Sequence, residues 1–235
     1  GLHSIASALV AAGYETICVA PLHDMSGSGA AIGQIDPSKH IHARRAQLPR
    51  ADGVQAFAVD GPPGLAVLAA AWGAFGERPN LVVAGINTGL NTGHLVLHSG
   101  TVGAVLTAQN FGISGLAVSL ARSEPWAWET AAAVAIEVLG QIGTMPAATA
   151  LNLNVPALPR DELVGVRWAR LDRVGIVQTA SIEADEGKLQ FTVTGDRATP
   201  EKDSDTALVQ QGYAAITALT GVTQASVAAA PESSP

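Results

Sequence analysis

Short apolar runs alternate along the chain with stretches in which apolar residues recur every three or four positions, which predicts strands and helices taken in turn. Leu2, Ile5 and Leu9, with Ala6 and Ala8, mark a helix over residues 2–12 stopped by Gly13. Glu15–Ala20 reads as a strand up to Pro21, residues 34–52 as a polar loop or hairpin, and Val54–Val59 as a further alternating strand. Pro62 and Pro63 open a buried helix over Ala66–Ala71. Leu81–Ala84 is an unbroken apolar run, which predicts a strand buried on both faces and ending at Gly85. A helix over Thr101–Asn110, a strand over Leu116–Leu120 and an Ala-rich helix over Trp126–Ile142 follow, with Trp126, Trp128 and Val134 as packing residues. Ala148–Pro156 reads as a strand leaving the core.

Past Pro156 the pattern changes. Val164–Arg170 and Lys188–Val193 alternate as strands, with a hairpin turn expected over Glu183–Gly187, and projecting strands of this kind suit an oligomer contact. The sum is a doubly wound, mostly parallel α/β fold. It divides into a core over 1–156, a hairpin and oligomerisation extension over 157–204, a C-terminal segment of the same domain over 205–228 and a frayed tail over 229–235. Because α/β sheets usually begin on a strand and this chain opens on a helix, a preceding strand is expected, with the natural N-terminus missing.

Composition narrows the function. The chain has 235 residues, 48% apolar and 14% charged, enough for one large α/β domain. A net charge of −7, with no basic cluster beyond Arg44-Arg45, argues against a nucleic-acid duplex and for a small ligand. No run is long and uniform enough to span a membrane and no signal peptide opens the chain. The lone Cys18, in an apolar strand, excludes an internal disulfide and reads as a buried, inert thiol; together these suit the cytoplasm.

Candidate chemistry gathers after Gly85. Gly85, Gly89, Gly93 and Gly100 are interleaved with Asn87, Asn91, Thr92, His94, His98, Ser99 and Thr101, more polar groups than a connection needs. A helix begins at once after them. Its first N–H groups and partial positive charge, with a Ser or Thr cap, form an anion site suited to phosphate; the plainer alternative is a cap and a turn and nothing more. A second polar loop, His23–Gly29, follows a strand end, though Gly27, Gly29 and Gly33 miss the dinucleotide spacing by one place. His40 and His42 would share a strand face but have no third metal ligand near them and are set aside. Hydrolysing a phosphate monoester needs its charge neutralised and a water activated, which a hard divalent ion such as Mg²⁺ or Mn²⁺ does. Ser26, Asn87 and Asn91 offer neutral oxygens, while Asp24 and Asp60, after strands, are the nearby carboxylates.

The run Val83–Gly93 (VAGINTGLNTG), followed by His98-Ser99-Gly100-Thr101-Val102, resembles the signature loop of the SurE survival-protein family of metal-dependent 5′/3′-nucleotidases. Ala20-Pro21 with Ser26-Gly27, Leu151–Pro156, and Asp205 with Gly212–Leu219 agree with it in the same order. The resemblance implies hydrolysis of nucleoside 5′- and 3′-monophosphates, with Ser26 and Asn87 as metal ligands and Asn91, Ser99, Gly100 and Thr101 holding the phosphate. It implies a doubly wound core whose hairpin and C-terminal segment build a homodimer or homotetramer. In the family an Asn-Asp-Asp-Gly run supplies two further acidic ligands. That run would end where this chain begins, so the chain as given is expected to be weak or inactive and to leave one sheet position unpaired. His94-Leu95 and Gly61–Gly64 depart from the family pattern. The alternatives are a non-catalytic nucleotide- or phosphate-binding protein, and catalysis with His94 or His98 as nucleophile.

Overall fold

The computed structural model describes residues 1–49, 51, 53–173, 179–185, 188–194 and 199–223, with backbone alone for 179–185 and 188–194. Its centre is a five-stranded sheet of β4 (Leu81–Thr88), β5 (Ser114–Leu120), β6 (Ala150–Val155), β10 (Tyr213–Leu219) and β7 (Gly165–Trp168), in that order. All neighbours are parallel except β6 and β10. β1 (Ile17–Pro21), β3 (Gln55–Val59) and β2 (Ala43–Ala46) form a second sheet. β8 (Thr179–Asp185) and β9 (Lys188–Thr194) pair antiparallel as a third.

Alternation along β5 and β6 explains the layering. Leu116, Val118 and Leu120 of β5 and Leu151, Leu153 and Val155 of β6 pack with α1 (Leu2–Ala11) and α4 (Trp128–Ile142) in one core. The opposite face offers small residues, Ala117 and Ala150, to Val102 and Val105 of α3 (Gly100–Asn110), and α2 (Pro63–Ala71) packs behind α3 through Val67 and Ala71. A period of two therefore places Asn152 and Asn154 on the α3 face with Ala150. The α/β class and the mostly parallel pairing stand as expected.

Several details depart from the sequence reading. The strands divide between two main sheets instead of one, with β1 and β4 each paired on one side only among the described strands. β4 runs four residues beyond Ala84 and is an edge strand, half-buried over most of its length. An apolar run reports covered faces and says nothing about edges. The segment expected to leave the core, β6, is the middle strand and is buried at every position. Residues 164–170 do not project, because β7 joins the central sheet beside β10. Glu183–Asp185, where part of the turn was expected, continue β8; residues 186–187 and the tail beyond 223 lie outside the described residues. His40 and His42 sit in exposed irregular chain, not on a strand face. Trp126 precedes α4 and stacks on Trp128, ring centroids 4.9 Å apart, against the core. Cys18 is buried, which pushes its thiol up to about 11 and leaves it unreactive.

Candidate functional site

Two loops meet at the start of α3. The first leaves β1. Asp24 Oδ1 accepts the Ser26 hydroxyl at 2.6 Å and the Ser26 amide at 2.8 Å, an Asx-type turn that holds the Asp24 carboxyl below its ordinary value. Asp36 and Ser38 make the same pair of bonds, at 2.9 and 2.7 Å, outside the cleft described here. The turn itself is therefore ordinary, and what sets Ser26 apart is where its loop is fastened. The Gly29 amide donates to the His98 carbonyl at 3.1 Å, and a Cβ on Gly103 would lie 2.0 Å from the Gly29 carbonyl oxygen. Only a glycine at 103 lets the loop lie flat on α3.

The second loop leaves β4. At Gly85, with φ +130°, a Cβ would come 2.4 Å from the Val118 carbonyl, and the register with β5 slips between Ala84 and Asn87. Such a bulge re-aims the side chain that follows it. Asn87 then donates from Nδ2 to the Gly89 carbonyl at 2.7 Å, which leaves its Oδ1 as an acceptor without a partner among the described residues.

The loops enclose a cleft of about 240 Å³ lined by Ser26, Asn87, Gly100 and Thr101, with His23, Asp24 and Met25 beside them and Pro21 and Pro63 as apolar walls. Ser99 caps α3 by accepting the Val102 amide at 3.2 Å. Among the described residues the Gly100 and Thr101 amides have no partner, so the positive end of α3 opens into the cleft.

Four of the six expected site residues thus share one cleft. The other two do not line it. Ser99 is buried in its capping role. Asn91 lies behind the cleft wall, its Nδ2 donating to Ser119 Oγ at 2.7 Å and its backbone held by Asn152 and Asn154. His94 and His98 are exposed on a 3-10 turn over Gly93–His98, and Asp60 lies at the end of β3; none lines the cleft. His23 and Met25 belong to the polar loop that the sequence marks after a strand end, but nothing in the sequence assigns either one a role in the cleft.

The donor set suits a hard divalent ion in kind. The Ser26 hydroxyl donates to Asp24, which leaves its lone pairs free to accept, and Asn87 Oδ1 and the second Asp24 oxygen are open acceptors. These are three oxygens bearing one charge, half of such a site. Among the described residues no three His, Cys, Asp or Glu side chains gather into a further metal site, and no helix is long and apolar enough to cross a membrane.

Residues 1–177 match the family model described as Survival protein SurE. The chain is 33% identical over 224 residues to 5′-nucleotidase SurE of Gloeobacter violaceus, covering 93% of this chain and 84% of the relative. It is 39% identical over 173 residues to 5′-nucleotidase SurE of Methylococcus capsulatus, covering 73% and 65%. The crystal structure of the SurE protein from Aquifex aeolicus superposes with a TM-score of 0.75 at 26% identity, over 92% of this chain and 86% of that one.

Proposed function

Because the chain belongs to the SurE survival-protein family, we propose that it is a metal-dependent phosphomonoesterase acting on nucleoside 5′- and 3′-monophosphates. The observation that carries the reading is the meeting of Ser26, Asn87, Gly100 and Thr101 in one cleft at a helix start. The Gly100 and Thr101 amides and the Thr101 hydroxyl hold the phosphate oxygens, and their fixed dipoles stabilise the charge that grows as the ester bond breaks. The Ser26 hydroxyl donates to Asp24, so that its lone pairs are free to accept in the cleft. Ser26 and Asn87 would hold Mg²⁺ or Mn²⁺ together with two aspartates of the kind that the family's Asn-Asp-Asp-Gly run supplies. When bound, the ion would supply Lewis-acid polarisation of the phosphoryl group and activation of water. Met25 and the two prolines give the nucleoside an apolar wall. The same resemblance makes the active form a homodimer or homotetramer.

Phosphate release from 5′-AMP and 3′-AMP, measured with Mg²⁺ and with Mn²⁺ on the chain extended upstream by a strand ending in Asn-Asp-Asp-Gly, tests this. Release that disappears on chelation is expected. AMP binding without release under either ion would leave a non-catalytic nucleotide-binding protein, and the proposal would fall.

A further inference from the structure

The loop between β4 and α3 is gripped from beneath by buried polar side chains that the cleft does not use. Asn154, on the central strand β6 and 0% exposed, accepts the Asn91 amide on Oδ1 at 2.8 Å and donates from Nδ2 to the Asn91 carbonyl at 3.0 Å. One side-chain amide therefore pairs with both backbone groups of a single residue, as a neighbouring strand would. Asn152 adds a second donor to the same carbonyl at 2.8 Å. Two residues on, the Gly93 amide donates to Asp205 Oδ2 at 3.0 Å. Asp205 opens α5 (Asp205–Gln210), is 0% exposed, and is itself anchored through Oδ1 by the amides of Thr206 at 2.8 Å and Asp172 at 3.1 Å.

Apolar residues at 154 and 205 would fill a core at less cost than buried amide and carboxylate groups, so these side chains have a task there beyond packing. The geometry assigns Asn154 and Asp205 as positioning residues that fix the segment Asn91–Gly93, and through it the approach of the chain to the phosphate-binding start of α3. They touch no substrate. Their effect on turnover passes through the loop, and that part of the inference rests on the phosphomonoesterase reading.

The test compares Asn154→Ala with Asn154→Asp on the upstream-extended chain, with hydrogen exchange as a second arm. Asn154→Ala is expected to lower kcat/KM for 5′-AMP about 10- to 100-fold, the scale of an ångström misplacement. Asn154→Asp, which keeps the acceptor for the Asn91 amide, should recover part of the loss and stands in if the alanine variant does not fold. An Asn154→Asp variant that recovers none of the loss would mean that Asn154 does not act through the Asn91 amide and would overturn the inference. Independently of activity, exchange of the Asn91 amide should quicken in Asn154→Ala and that of Gly93 in Asp205→Asn; unchanged exchange overturns the clamp. A wild-type chain that shows both protected amides and no turnover would sink the phosphomonoesterase reading and leave the clamp standing.

Discussion

β4 and β6 exchange the places that their sequences suggest. Leu81–Ala84 is an unbroken apolar run and forms part of an edge strand, whereas ALNLNV, with two asparagines, is the middle of the sheet and wholly buried. The apolar residues of β4 are needed because helices cover both its faces, with Leu81 and Val83 toward one core and Val82 and Ala84 toward the other. The asparagines of β6 are tolerated because the loop leaving β4 supplies their partners. A polar residue in a central strand is thus a statement about what it holds, and the two strands serve one site from opposite sides, β4 carrying Asn87 into the cleft and β6 fixing the loop behind it.

The comparison can be broken first by stability. Leu153→Ala on β6 should cost about 2–5 kcal/mol, as expected for a fully buried leucine, and Val83→Ala on β4 about 1 kcal/mol. Denaturant midpoints at constant slope decide it, and equal losses would mean that β4 is as central as its sequence suggests. Next comes Gly103→Ala, whose new Cβ meets the Gly29 backbone. It should cost about 1–3 kcal/mol and, by lifting the Ser26 loop from α3, weaken phosphate binding; binding at wild-type strength would show that the two loops need not touch.

Two carboxylates sharpen the contrast by titrating in opposite directions. Burial raises Asp205 above the ordinary 3.8, against hydrogen bonds from Gly93, Asp172 and Thr206 that lower it, with the neighbouring Asp172 adding a smaller push upward. Its contribution to stability is present below the unfolded value near 3.8 and is lost as pH rises through the raised one. Asp205→Asn should therefore flatten stability against pH across that window. Asp24, fully exposed and lowered by Ser26, contributes in the reverse sense, above the unfolded value and lost as pH falls. The smallest effect expected is in Ser26→Ala, where the Asp24 titration followed by NMR should move up toward the ordinary value with little change in stability.

Much of this was legible in the residues. Periodicity marked α1, α3, β3 and β5 to within a residue or two, and the polar loop with its Ser-Gly-Thr helix start marked Gly100, Thr101 and Asn87. What was not legible depends on contacts far apart in sequence. The central position of β6 follows from its pairing with β10, some sixty residues later, and the diversion of Asn91 from cleft to clamp follows from Asn152, Asn154 and Ser119. Ser99 caps α3, and a cap and a ligand carry the same sequence signal, an alternative that the plainer reading already held open.

The central claim is that the first amides of α3 grip an oxyanion opposite Ser26 and Asn87. Titrating the isotope-labelled chain with inorganic phosphate and following amide shifts tests it directly. The account predicts the largest saturable shifts at Gly100 and Thr101, with smaller ones at Ser26 and Asn87. Shifts absent from those four positions, or largest at the first turn of α4, would contradict it.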